Sequence, residues 1–172
     1  MDAFEIIKDR RSVKKYTDKP VPQELIEKVC RAGTWAATGM GRQSPIILAV
    51  TNKEVRNKLS EINAEVMGAK NDPFYGAPVV LVVLANKAMP TAIYDGSLVM
   101  GNMMIEAESL GLGSCWIHRA KEEFETEYGK RLLKELGIEG EYEGIGNLIL
   151  GYGDGGKPRP KPRKENYVYH ID

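Results

Sequence analysis

The residues with the greatest capacity for chemistry lie near the two ends of the chain. Residues 10–16, Arg10-Arg11-Ser12-Val13-Lys14-Lys15-Tyr16, place four cations and a hydroxyl within seven positions. Toward the other end, Lys157, Arg159, Lys161, Arg163 and Lys164 are interleaved with prolines. Taken alone, each run reads as solvated charge, because cations are favoured at helix C-termini and Pro-rich arms are extended and hydrated. Each also has the makings of an anion grip. In an extended chain alternate residues face one side, so Lys161 and Arg163 project together. Lysines and arginines equal aspartates and glutamates at 24 each, so the molecule as a whole has no bias toward nucleic acid or a membrane surface. Anion binding must come from local clustering.

Two other motifs carry less. Gly151–Gly156, GYGDGG, fits G-x-G-x-x-G, but prolines follow it instead of a helix. No helix N-terminus is then available for a pyrophosphate, and a glycine-rich turn after a strand is the better reading. Cys115 and His118 form a single C-x-x-H, and His170 is the only other histidine, so a four-ligand zinc set is not available. Cys115 lies in the apolar run Cys115-Trp116-Ile117, where cysteine behaves as a small buried hydrophobe.

The elements that must position these residues follow from periodicity. The 172 residues suit one domain, 1–172, with 157–172 as an extended basic arm. Asp2 is placed to cap a first helix bearing Phe4 and Ile7 on one face. Pro22 suits the first turn of a second helix, with Leu25, Ile26, Val29 and Ala32 inward. A glycine-rich loop, TGMGRQSP, precedes a strand at 46–52. An amphipathic helix over 53–69 carries Val55, Leu59, Ile62 and Val66 on a stripe. A strand at 79–86 is almost continuously apolar. The segment 91–110 is apolar nearly all round, with Ile93, Leu98, Val99, Met100, Met103, Met104, Ile105 and Leu110. It is expected to be buried on every side, as a central helix or one facing a second subunit. Gly96, Ser97 and Gly101 would let another helix approach it. A short strand in GLGSCWIH, one surface helix over 121–138 and a strand at 144–153 complete an α/β or α+β pattern. No apolar run approaches the roughly 18 residues of a membrane span and the start lacks a signal-peptide core, so the expected location is cytoplasmic, with Cys30 and Cys115 reduced.

The order of motifs is more specific than any one of them. RRSVK follows the first helix, AATGMGRQSP precedes the first strand, and NDPFYGAPVVLVV leads into the second. LGLGSCWI follows the apolar helix, and PKPR comes near the end. In that order they resemble a short member of the FMN-dependent nitroreductase family. The resemblance implies an α+β fold with a central mixed, mostly antiparallel sheet flanked by helices. It also implies an intertwined homodimer holding FMN in the subunit interface.

Residue by residue, the resemblance gives Arg10, Arg11 and Ser12 to the FMN phosphate and ribityl chain, and Lys14 to the pyrimidine edge. Lys161 and Arg163 would close on the same phosphate. Asn71 and Gln43 would offer amides, and Ala37, Thr38 and Gly39 would approach from the other subunit. The backbone of Ile117, His118 and Arg119 would face flavin N5. No side chain is required as a catalytic acid or base, because N5 is the redox centre. The implied activity is a two-electron, ping-pong transfer from NAD(P)H to a nitroaromatic, quinone or similar small-molecule acceptor. A flavin carrier or sensor, or other flavin chemistry such as reductive dehalogenation, are the alternatives. The chain departs from the family pattern at two sites, and it also lacks the extra helices that larger members place over the active site. Gly41-Arg42-Gln43-Ser44-Pro45 lacks the tryptophan of N-x-Q-P-W, and His118-Arg119 replaces Glu-Gly or Gly.

Overall fold

The computed structural model describes residues 2–172. Four strands, β1 (Pro45–Val50), β2 (Val79–Asn86), β3 (Gly113–Ile117) and β4 (Tyr142–Gly151), form one sheet in the order β1-β2-β4-β3. Every pairing between them is antiparallel. One isolated parallel bridge, Ser12 to Ser114, joins the segment after the first helix to the outer edge of β3. This is the α+β arrangement implied by the resemblance; periodicity alone left a parallel sheet open.

The helices are α1 (Ala3–Asp9), α2 (Gln23–Thr34), α3 (Lys53–Met67), α4 (Ala92–Ser109), α5 (Ala120–Glu125) and α6 (Glu127–Glu135). α2 and α4 cover one face of the sheet, where Ile26, Val29, Met100 and Met103 pack on Leu81, Val83 and Leu148. α3 and α5 cover the other, where Leu59 and Phe124 pack with Phe74 on Val80, Val82 and Ile149. β2 is buried on both faces from Val79 to Ala85, which accounts for its unbroken apolar sequence. α3 forms where its pattern places it, capped by Asn52, whose side-chain oxygen accepts from the amides of Glu54 and Val55.

Three expectations need correction. The surface helix over 121–138 is two helices. Thr126 breaks it, donating its hydroxyl to the Glu123 carbonyl at 2.6 Å and capping α6 by accepting from Gly129 N–H at 3.1 Å. Asp2 occupies the N-cap position of α1 but makes no side-chain capping bond. α4 is not enclosed within the chain: Ile93, Tyr94 and Leu98 are 55%, 72% and 50% exposed, while Val99, Met100 and Met103 face the core. Gly96 does permit a close approach, but to the sheet: a Cβ there would lie 2.5 Å from Ile145 Cγ1.

Ile145 is the extra residue of a bulge in β4, where Val83 pairs with Gly146 and Leu84 with Gly144. On the opposite face, a Cβ at Gly144 would lie 2.2 Å from the Ala120 carbonyl oxygen. The bulge is thus held between α4 and α5, and it fixes where α5 begins. Among the described residues no helix is long and apolar enough to cross a membrane. Gly144→Ala should push α5 off the sheet and cost about 1–3 kcal/mol, the usual range for overpacking, read as a lower urea midpoint. An unchanged midpoint would contradict this seat for α5.

Candidate functional site

The segment after α1 runs along the end of the sheet. Val13 N–H donates to the Ser114 carbonyl at 3.0 Å, Thr17 N–H to the Tyr152 carbonyl at 2.9 Å, and Asp154 N–H to the Lys15 carbonyl at 2.9 Å. These bonds bring Ser12 and Lys14 beside the C-terminal end of β3. There they line a cleft of about 290 Å³ with Tyr75, Trp116, Ile117, His118 and Arg119, among others. Among the described residues no Asp or Glu lines this cleft. Lys14 lies over the Tyr75 ring, 5.6 Å from its centroid, and has no ion pair among the described residues, whereas its neighbour Lys15 pairs with Asp154 at 2.7 Å. A larger cavity of about 460 Å³ also touches Ser12 and Lys14, but its wall includes Glu108 and Asp154. Those carboxylates are paired with Lys157 and Lys15.

Tyr75 is presented by a loop organised around Asp72. Its carboxylate accepts from Arg56 at 2.6 Å, from the Phe74 amide at 2.9 Å and from the Gly76 amide at 2.7 Å, as well as from the Ser60 hydroxyl. Burial alone would raise the Asp72 pKa, but these hydrogen bonds outweigh it and hold the carboxyl below its ordinary value. Tyr75 has φ +52°, and Arg119 across the cleft has φ +77°. Each is a left-handed conformation costing roughly 1–2 kcal/mol for a residue with a Cβ. Such strain persists only where the surroundings impose it.

At Arg119 the surroundings are a buried polar cluster. Asn63 of α3 donates to the His118 carbonyl at 2.8 Å and to Glu123, and its own oxygen accepts from Arg119 Nε at 3.1 Å. Asn147 of β4 donates to the same Glu123 oxygen at 2.8 Å. The second carboxylate oxygen of Glu123 and the side-chain oxygen of Asn147 are buried without partners. Burial, with a smaller push from Glu122 and against the amides and Arg119, raises Glu123 from 4.5 to about 8. A protonated Glu123 brings the one donor that this pair of orphan acceptors lacks.

The sequence-predicted residues fall into groups. Ser12, Lys14, Ile117, His118 and Arg119 line one cleft. Arg11 instead ties α1 to the C-terminal segment, donating to the carbonyls of Lys8, Arg10 and Pro158. Arg10 precedes it as the C-cap of α1. Asn71 lies in a separate groove with Arg56 and Asp72. Thr38 and Gln43 border a third hollow beside α2. Ala37 is exposed in that same loop. The loop is anchored by buried Asp95, which accepts from the Gly39 amide at 3.0 Å. Lys161 and Arg163 are exposed, linked to each other by a bond from Arg163 to the Lys161 carbonyl at 2.8 Å. Sequence reasoning missed Tyr75, Trp116 and the Asn63–Glu123–Asn147 cluster. Glu123 was hidden in a charge-rich segment that reads as solvent-facing. The positive φ of Arg119 had a signal only in the resemblance, whose pattern implies Glu-Gly or Gly where this chain has His118-Arg119.

The raised Glu123 pKa has a sign that can be measured. Between about 4.5 and 8 the folded chain keeps a proton that the unfolded chain releases. This contribution to stability is therefore full at low pH, declines as pH rises through that window, and is lost above about 8. Glu123→Gln removes the titration, so its stability relative to the parent should rise from pH ~5 to ~8.5 in denaturation series. A difference independent of pH would show that Glu123 is ionised throughout.

With this geometry in hand, comparison with known proteins is specific. The sequence model of the Nitroreductase family matches residues 7–153. A protein of Methanothermobacter thermautotrophicus, named as an NADH dehydrogenase/NAD(P)H nitroreductase, is 32% identical over 120 residues, which is 67% of this chain and 60% of that one. A protein of the same name from Archaeoglobus fulgidus is 28% identical over 171 residues, 96% of this chain and 90% of its own. The crystal structure of a nitroreductase with bound FMN from Bacteroides fragilis aligns over 100% of both chains, with TM-score 0.86 and 26% identity. The matched stretch takes in the segment after α1, the Asp72 loop and the end of β3, all the walls of the cleft. This chain belongs to the nitroreductase family.

Proposed function

We propose that this chain is an FMN-dependent oxidoreductase that passes electrons from NAD(P)H to a small-molecule acceptor such as a nitroaromatic or a quinone. The observation that carries the reading is the cleft beside β3. It offers the Ser12 hydroxyl, the Lys14 ammonium and the Arg119 side chain with aromatic walls and no carboxylate, a donor set suited to a planar, anionic ligand. Bound FMN would supply two-electron chemistry; the protein's part is binding, orientation and charge. Lys14, free of any acidic partner, would place its cation against the edge that becomes negative on reduction. Arg10 and Ser12 would hold the phosphate or ribityl chain, with Arg11 alongside, though Arg11 is already engaged with backbone carbonyls. Lys161 and Arg163, both exposed, would fold onto the phosphate when it is present.

The functional unit is read as a cytoplasmic homodimer of single-domain chains. The exposed apolar side chains Ile93, Tyr94 and Leu98 of α4, with Trp35 and Met40, are the surface a second copy would cover. Ala37, Thr38, Gly39 and Gln43 border no part of the cleft in their own chain, in keeping with a contribution to the partner's. Asn71 would likewise reach the flavin only from outside its own cleft wall.

Purified protein should bind one FMN per protomer and oxidise NADH or NADPH with menadione as acceptor, with parallel double-reciprocal plots. Protein that neither carries nor binds FMN would overturn the reading, and FMN binding without turnover would make the chain a carrier. Replacing both Lys161 and Arg163 with alanine should weaken FMN by about 100-fold while leaving riboflavin unaffected, at ~1.5–3 kcal/mol for each charge-assisted bond. The control is Arg159 with Lys164, because Lys157 is paired with Glu108. Equal, small effects of the two double variants would remove the arm from the site.

A further inference from the structure

The cleft edge at 117–119 is backbone held in a strained turn, and something must hold it. The His118 carbonyl is drawn toward α3 by Asn63 at 2.8 Å. The chain has no cis peptide among the described residues, so the N–H of Arg119, in the same peptide plane, points the opposite way. That N–H has no backbone partner among the described residues. Asn63 also receives Arg119 Nε at 3.1 Å, so one amide grips the left-handed residue on both sides of its Cα. Asn63 is itself held: fully buried, it donates to Glu123, which Asn147 holds from β4 at 2.8 Å.

We propose that Asn63, braced by Glu123 and Asn147, is a positioning residue that clamps the His118–Arg119 peptide so that the Arg119 N–H faces the ligand in the cleft. The clamp joins α3, β4 and the start of α5; α5 and β4 also meet through the surface ion pair of Lys121 and Glu143. It substitutes side-chain hydrogen bonds for the conformational freedom that glycine would supply at a left-handed position. The neutral, protonated form of Glu123 completes the cluster without a negative charge behind the cleft. Among the described residues the cleft itself is lined by Lys14 and Arg119 and by no Asp or Glu. The effect on FMN rests on the function proposed above; the clamp itself does not.

Amide hydrogen exchange of the unloaded protein reads the clamp directly. In Asn63→Ala, exchange across residues 117–124 should accelerate about tenfold or more, while β2 and α4 keep the parent's protection. Glu123→Gln preserves the acceptor for both asparagines and supplies an N–H for the orphan Asn147 oxygen, so it should exchange as the parent does. No change in Asn63→Ala, or an equal rise throughout the chain, would reduce Asn63 to an ordinary core residue and overturn the proposal. Should Asn63→Ala fail to fold, Asn63→Ser is read by the same criteria. With FMN added, Asn63→Ala should bind about tenfold more weakly than the parent and shift the visible absorption band of the bound flavin. Local loosening with unaltered FMN affinity and spectrum would overturn the positioning role. If the parent itself binds no FMN, the proposed function fails, and the exchange result still decides the clamp.

Discussion

Burial of the sheet on both faces is the constraint from which the site follows. β2 and β4 are paired on both edges and covered above and below, by α2 and α4 on one side and by α3 and α5 on the other. A ligand has no access to such strands. It can reach only the ends of the sheet and its outer strands, and at β3 the segment after α1 already covers part of the edge through the Ser12–Ser114 bridge. That bridge brings a basic sequence to the place where the sheet stops protecting its own backbone. The cleft is the remaining gap.

Charge then distinguishes the cleft from the hollow next to it. The larger cavity has comparable access to Lys14, but the lysines around it are largely neutralised by Asp154 and Glu108. The smaller cleft keeps its cations uncompensated. A chain with zero net charge thus creates a local positive potential by where it puts its acids. Glu123, behind the His118–Arg119 turn, is pushed up to about 8 by burial and so holds its proton below that pH. Two of the four left-handed non-glycine residues, Tyr75 and Arg119, line the same gap. Each is held by a polar side chain beside it, half-buried Asp72 for one and buried Asn63 for the other.

Much of this was legible in the sequence, and the rest was hidden for physical reasons. The apolar run at 79–86 read as a buried strand, and the stripe of Val55, Leu59 and Ile62 marked α3, but Asn52, its N-cap, was assigned to the end of the preceding strand. The basic cluster at 10–16 and the segment 117–119 were both singled out, and the fold brings Ser12 and Lys14 into contact with the latter. The mostly antiparallel sheet came from family resemblance and the strand order was not read at all, because alternation of helices and strands does not encode pairing. The break at Thr126 was lost because a threonine inside a charged helical pattern looks tolerable until its hydroxyl is seen capping the next helix. Glu123 and Asn63 were lost because polar residues on helices default to solvent. Only three-dimensional pairing shows them facing each other in the core. Of the two places the sequence left open for α4, inside the chain or against a second subunit, the single chain does not fill the first: several of its apolar side chains lie outside.

The central claim is that the walls at 12–14 and 117–119 form the FMN site. A crystal structure of the protein grown with FMN tests it most directly. The account predicts the flavin ring in the cleft of Tyr75, Trp116 and Arg119, with Lys14 at its pyrimidine edge and the Arg119 N–H directed at it. Flavin seated instead in the larger cavity beside Gly153 and Lys157, or Lys14 still resting on Tyr75 with no contact to the ring, would contradict it.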